Sequence, residues 1–293
     1  MYEDIQIENE IAHIIKQPQR GHNIHIKGSD EKKGALILKE GKIITAAEAG
    51  VLATVGKVEI LVKKLPIITV ISTGNELVDI NINPLPHQIR RSNSYSLKAS
   101  LLAAGINPTL QHLPDDRDKI RVELAKAIEK SDVLLLSGGV SKGKFDFIPQ
   151  VMAELGVKKV FHGVRQRPGK PFWFGIHDTQ RTWIFSFPGN PVSTFVNYHV
   201  YFKNWLNKSL DITVPQLSVF LREEIAIKGS LTRFIGVETG WEKSCLIATQ
   251  IQGNGSGDLI SLAKTDGFIK LEPREEPYKQ MELVPFIPCR SIL

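Results

Sequence analysis

The sequence predicts an α/β fold: a three-layer α/β/α unit around a mostly parallel sheet, followed by a small β-domain and preceded by a β-rich segment. Three observations predict it. From Leu65 to about Leu206, apolar strand-like runs alternate with helical patterns, the mark of a parallel sheet covered on both faces. From Val214 onward helical periodicity vanishes, and short alternating segments between turn signals read as a barrel or sandwich. Before Leu65 the chain opens directly in strand-like segments with no partner ahead of them, which reads as a truncated N-terminal region. The expected boundaries are 1–64, 65–208 and 212–293.

The 293 residues suffice for two or three domains. A hydrophobic share of 42% and a charged share of 23% are those of an ordinary globular protein. The excess of 37 Lys and Arg over 31 Asp and Glu gives +6, which favours anionic ligands. This bias is too small and too dispersed to imply nucleic acid. Cys245 and Cys289 form no CxxC pair, so a reducing, cytoplasmic setting without a zinc site is expected. Met1-Tyr2-Glu3-Asp4 leads into no apolar stretch, so no signal peptide is read. No window reaches the length of a membrane span, and no membrane partner is expected.

In order, Ile5-Gln6-Ile7 and Ile11 to Ile15 read as strands, as does Asn23-Ile24-His25-Ile26, followed by a polar turn at Lys27-Gly28-Ser29-Asp30. Apolar segments surround Leu36-Ile37-Leu38. Thr45 and Glu48 have capping-box spacing at the head of a helix that stops near Gly56. Pro66 to Ser72 is a buried strand ending in Thr73-Gly74-Asn75-Glu76. Ser92-Asn93 caps a helix through Ala104, with Gly105 as its stop. Pro108 to Leu113 is a strand ending in Pro114-Asp115-Asp116, and residues 117–130 form a charged amphipathic helix. Val133 to Leu136 is an unbroken apolar run ending in Ser137-Gly138-Gly139, before a helix near 147–155. Strands at Lys159-Val160-Phe161 and Trp183 to Phe187 follow. The second of these closes in Pro188-Gly189-Asn190-Pro191, ahead of an aromatic-rich helix to about Leu206.

Ligands of such sheets sit beyond the carboxyl ends of the strands, where the polar clusters fall. Gly138, Gly139 and Gly143 let the backbone turn sharply and offer N–H groups to an oxyanion. Glu76, Asp115 or Asp116, and Asp146 are carboxylates at strand ends, the donors that hold Mg²⁺ beside phosphate. Arg165 to Pro171 places Arg167 and Lys170 on a loop stiffened by two prolines, suited to an oxyanion. Arg90 and Arg91 are further phosphate candidates. Gly189-Asn190-Pro191-Val192-Ser193 puts a helix N-terminus with Pro inside it at the same edge. Asp30 alone reads as a turn residue. No nucleophile–base pair is evident, and none of the eight histidines has metal-ligand spacing.

Six motifs occur in a family order: Ser72 to Leu77, Gln88 to Asn93, Pro114 to Asp116, Ser137 to Gly143, Arg167 to Pro171 and Pro188 to Ser193. On these motifs the chain resembles the MoeA family of molybdopterin molybdenumtransferases, similar to the C-terminal domain of gephyrin. The resemblance runs over essentially the whole chain. It implies a molybdopterin-binding α/β domain, a C-terminal β-barrel, and N-terminal remnants of the family's first two domains. It implies Mg²⁺-dependent insertion of molybdate into adenylylated molybdopterin with release of AMP, a homodimer, and a molybdopterin adenylyltransferase as partner. Glu76, Asp115 and Asp146 match acidic active-site and metal positions, Arg167 stands where many members have lysine, and Lys170 matches the second cation. The resemblance also puts Thr73, Gly74, Ser137, Gly138, Gly139, Ser141, Gly143, Gly189, Asn190, Pro191, Ser193 and Ser256 at the pterin, and Asp30 opposite the partner subunit's site. Leu231-Thr232-Arg233-Phe234 departs from the commoner Arg-Thr-Glu-Phe, so no role is carried to it. The alternative expectation is a non-catalytic molybdopterin-binding or scaffold protein. A third reading, the related CinA-like domain, is opposed by the β-rich tail and the Arg167 to Pro171 loop. Within the enzyme reading, Asp146→Asn is expected to abolish transfer and keep the fold.

Overall fold

The computed structural model describes residues 2–17, 19–140, 147–255 and 257–290. The chain divides into two compact units, Met1–Glu59 and Ile60–Leu293.

In the first unit, a 3-10 turn over Tyr2–Asp4 leads into strands β1 (Ile5–Glu8) and β2 (Ile11–Ile14). They pair antiparallel, with Ile5 opposite Ile14. Asn9 and Glu10, at φ of 50° and 64°, supply the two left-handed positions that a two-residue hairpin requires. Helix α1 (Ala46–Thr54) begins with the expected capping box of Thr45 and Glu48, and Gly56 follows at φ 71°. Asn23 to Ile26, expected as a strand, is turn and irregular chain instead, and Leu36 to Leu38 likewise forms no strand. Among the described residues of this unit none is buried, and β1 pairs only with β2. An isolated extended segment there would find neither a strand partner nor a core.

The second unit opens with β3 (Ile68–Thr73), followed by the short pair β4 (Leu77–Val78) and β5 (Ile89–Arg90). Next come α2 (Ser92–Ala103), β6 (Thr109–Leu113), α3 (Arg117–Lys130), β7 (Val133–Ser137), α4 (Ile148–Glu154) and β8 (Lys158–His162). A two-residue strand, β9 (Gln166–Arg167), precedes β10 (Trp173–His177) and β11 (Thr182–Phe187). Helix α5 (Pro191–Asn197) passes through a π-helical turn, Tyr198–Phe202, into α6 (Lys203–Ser209). The main sheet has the order β6-β3-β7-β11-β10-β8. Its β6, β3, β7 and β11 are mutually parallel, and β10 runs antiparallel to both neighbours.

Successive residues of a strand face opposite sides, and the two cores follow this alternation. Ile71, Leu134 and Leu136 pack with Ile120 and Leu124 of α3 and Val151 and Met152 of α4. Val70 and Leu135 pack with Leu97 and Leu101 of α2 and with Phe185, Tyr198 and Phe202. Helices therefore cover both faces, giving the three expected layers. Strand β10 was not anticipated, although Phe172-Trp173-Phe174 carries the aromatic signal of a strand. It forms a hairpin with β11, from Trp173 opposite Ser186 to His177 opposite Thr182.

The rest is β12 (Leu217–Leu221), β13 (Thr232–Glu242), β14 (Cys245–Gln250), helix α7 (Leu259–Lys264), β15 (Gly267–Leu271) and β16 (Leu283–Pro288). Pairing runs β14-β12-β16-β15-β13, and β13 pairs back to β14, closing a five-stranded barrel. Val219, Leu221, Val237, Ala248, Ile269, Leu271, Val284 and Phe286 fill it. Helix α7 corrects the expectation that helical structure ends before Val214. It is a six-residue turn capped by Asp258, whose Oδ1 accepts from Ile260 N and Ser261 N.

Candidate functional site

The carboxyl ends of β3, β6, β7 and β11 open onto a cleft of about 740 Å³. Of the residues singled out in the sequence, Thr73, Gly74, Glu76, Asp115, Ser137, Gly138, Gly139, Gly189, Asn190 and Pro191 line it. Ser141, Gly143, Asp146 and Ser256 lie outside the described residues. The turn after β7 is held tight against β3. A Cβ on Gly139 would lie 2.5 Å from Ile148 Cγ1 and 3.1 Å from Thr73 Oγ1, and its φ is 72°. Only glycine fits there without displacing the first turn of α4.

Two asparagines fix the cleft. Asn93 Nδ2 donates to Ser137 Oγ at 2.7 Å and to Gly189 O at 2.7 Å, tying together the turns that follow β7 and β11. Asn75 and Asp115 clasp each other: Asn75 N donates to Asp115 Oδ2 at 3.2 Å, and Asp115 N to Asn75 Oδ1 at 3.0 Å. Of the two adjacent carboxylates Asp115 and Asp116, Asp115 lines the cleft. Asp116 is the N-cap of α3, its Oδ1 accepting from Asp118 N and Lys119 N. Asp115 remains for the cleft. Ser92, expected as a cap, instead sits in the first turn of α2 after Arg91, leaving Asn93 to face the site.

Arg90 and Arg91 both line the cleft. Arg91 pairs with Asp79, which also accepts from Tyr95 Oη at 2.7 Å. These contacts hold the Asp79 carboxyl below its ordinary range, the tyrosine hydroxyl being the largest cause. His112, half-buried on β6 with Nδ1 3.2 Å from Ser72 Oγ, is held below its ordinary value by burial and then by Arg91. Among the described residues, the Glu76 carboxylate has no hydrogen-bond or ion-pair partner. Glu76 and Asp115 are hard oxygen donors of the kind Mg²⁺ takes.

A second cavity of about 470 Å³ lies between the loop after β9 and the barrel. Arg167, Lys170 and Ser193 line it, together with Arg233 of β13 and the Gly253 to Gly255 loop. The expected site is thus divided. Residues 189–191 line the first cavity and 192–193 the second, so the N-terminal turn of α5 forms their common wall. Strand β9 runs parallel to β13 with Arg167 in register with Arg233. Burial and then the Arg167 charge lower the affinity of the Arg233 guanidinium for its proton. Among the described residues, Arg167, Lys170 and Arg233 have no carboxylate partner, so this cavity is a concentrated positive site. Arg233 was missed because it falls where the family pattern has an acid. Asn75 and Asn93 sat in recognised motifs but read as turn and cap.

Asp30 belongs to the first unit. It is exposed, its Oδ2 3.2 Å from His25 Nε2, which also lies 3.0 Å from Ser29 Oγ.

The fold and its clefts place the chain among α/β proteins that take their ligand beyond the carboxyl ends of a parallel sheet. Comparison with known proteins narrows this class. Residues 69–208 match the model described as "Probable molybdopterin binding domain", residues 1–56 the "MoeA N-terminal region (domain I and II)", and residues 220–289 the "MoeA C-terminal region (domain IV)". A molybdopterin molybdenumtransferase of Synechocystis sp. is 38% identical over 289 residues, covering 97% of this chain and 72% of the relative. One from Bacillus subtilis is 29% identical, covering 93% of this chain and 64% of the relative. A crystal structure of the molybdopterin biosynthesis MoeA protein of a Pyrococcus species superposes with a TM-score of 0.79. It is 26% identical, covering 99% of this chain and 71% of that one. The chain belongs to the MoeA family, transferases of molybdenum cofactor biosynthesis.

Proposed function

We propose that the protein inserts molybdate into adenylylated molybdopterin, releasing AMP in a Mg²⁺-dependent step. The observation that carries this reading is the pair of adjoining cavities, one with carboxylates and glycine turns, the other with three cations that have no carboxylate partner among the described residues. A bridged substrate and an oxyanion co-substrate need such a pair. In this reading the cleft holds the adenylylated pterin. Arg90 and Arg91 face its phosphates, and the glycine turns at 138–139 and 189 lie against it. Glu76 and Asp115 would hold Mg²⁺, with Asp146 as the third ligand. The ion would neutralise the charge that develops as the pyrophosphate link is cleaved. Arg167 and Lys170, joined by Arg233 and Ser193, receive molybdate and desolvate it close to the pterin sulfurs. Ser141, Gly143 and Ser256 complete the pterin contacts.

The proposed domains are 1–64, 65–208 and 212–293, and the working form is a cytoplasmic homodimer in which Asp30 serves the partner subunit's site. Two observations support dimerisation and a reducing setting. The first unit exposes Ile7 (66%), Ile14 (66%) and Ile26 (69%), more apolar surface than a free unit of this size leaves bare. Cys245 and Cys289 are both free thiols. Among the described residues no helix is long and apolar enough to cross a membrane. A molybdopterin adenylyltransferase supplies the substrate.

The test is AMP release by single variants. Glu76→Gln should raise the Mg²⁺ requirement at unchanged molybdate dependence. Lys170→Gln should raise the molybdate requirement at unchanged Mg²⁺ dependence. Identical effects of the two variants on both titrations would refute the division of labour.

A further inference from the structure

The loop that carries Arg167 and Lys170 is held by a buried polar network of Gln166, Asn197 and Tyr201. Gln166, 2% exposed, donates through Nε2 to Pro168 O at 2.8 Å and to Asn197 Oδ1 at 2.8 Å. Its Oε1 accepts from the Tyr201 hydroxyl. Asn197 is fully buried, and its Nδ2 donates to Gly169 O at 3.1 Å. The carbonyls of two successive peptides, Pro168–Gly169 and Gly169–Lys170, are therefore fixed by two side chains. Those side chains are linked to each other and to a third.

Asn197 also packs closely against the loop. A Cβ on Gly169, at φ 89°, would lie 2.4 Å from Asn197 Oδ1. Asn197 ends α5 and Tyr201 lies within the π-helical turn that follows, four residues on, so both reach the loop from one face of the helix. Single π turns inside helices are frequent at functional sites. Burial raises the Tyr201 hydroxyl above its ordinary value, so it stays a donor at neutral pH. The same loop pairs its Arg167 with Arg233 across the β9–β13 register, so like charges are held close against their repulsion.

We infer that Asn197, Gln166 and Tyr201 are positioning residues. They hold the Arg167–Lys170 loop in the arrangement that binds a tetrahedral oxyanion, and so set its affinity. The inference rests on the proposed role of that loop.

The test is calorimetric titration of the full chain with sodium molybdate and sodium tungstate, for the wild type, Tyr201→Phe, Asn197→Asp, Lys170→Gln and the Tyr201→Phe/Lys170→Gln double variant. Tyr201→Phe keeps the ring and its packing and removes only the donor, and Asn197→Asp keeps the shape and removes the donor to Gly169 O. Each should weaken molybdate binding about tenfold. In the Lys170→Gln background the effect of Tyr201→Phe should shrink to about threefold or less, because the network acts through the cations it positions. Equal molybdate affinity of wild type and Tyr201→Phe overturns the inference, as does an undiminished effect in the Lys170→Gln background. A wild-type chain that binds neither oxyanion overturns the proposed role of the loop and the inference with it.

Discussion

His199 gives the stability of the protein a pH dependence whose size follows from its surroundings. The ring lies in the π-helical turn between Phe195, with centroids 4.5 Å apart, and Tyr198, at 5.1 Å. Both ring nitrogens are buried and have no hydrogen-bond partner among the described residues. Burial, and secondly the charge of Lys203, push its pKa from 6.5 down to about 3. The unfolded chain therefore takes up a proton near pH 6.5 that the folded chain refuses. Folded-state pKa is depressed, so this contribution is fully present above pH 6.5 and is lost as pH falls toward 3. Each pH unit in that window costs about 1.4 kcal/mol, hence about 2 kcal/mol between pH 7 and pH 5. His199→Leu removes the titration and the two unpaired nitrogens. The assay is urea denaturation of both proteins at pH 7 and pH 5. The variant's stability relative to wild type should rise by about 2 kcal/mol on going to pH 5, while acidic groups common to both cancel. An unchanged difference would show that His199 takes up its proton in the folded state and that the burial argument is wrong.

Two further substitutions test the framework of the site. Gly169→Ala must adopt left-handed backbone, at about 1–2 kcal/mol, and must displace Asn197, losing two hydrogen bonds of about 1 kcal/mol each. The urea midpoint should fall by the equivalent of about 3 kcal/mol, and a loss below about 1 kcal/mol would mean that the loop relaxes freely. Asn93→Ala removes both 2.7 Å bonds that join the glycine turns. It should destabilise by about 2 kcal/mol and weaken binding of adenylylated molybdopterin, and equilibrium dialysis showing wild-type affinity would exclude the clamp.

The parallel sheet was legible because its strands are short apolar runs ending in glycine or acid, and because helical periods of the right length separate them. Val133 to Leu136 and its glycines fell where expected, as did the helix over 117–130 and the strand Gly267 to Leu271. What escaped depends on partners distant in sequence. Gln166–Arg167 becomes a strand only because β13 lies beside it, and Asn23 to Ile26 fails to become one for want of such a neighbour. Within the site, residue type gave the charged groups but not their partition. The turn at 189–193 reads as one motif, yet its first half lines the cleft and its second half the cationic cavity. Arg233 illustrates the same limit. Nothing local distinguishes it from a surface arginine until the barrel places it beside Arg167.

The most direct measurement is AMP released from adenylylated molybdopterin by this 293-residue chain, with Mg²⁺ present, as molybdate is titrated. The account predicts release that rises with molybdate to saturation and is abolished by Asp146→Asn. Binding of the adenylylated pterin with no molybdate-dependent release would contradict it and identify the chain as a molybdopterin-binding scaffold.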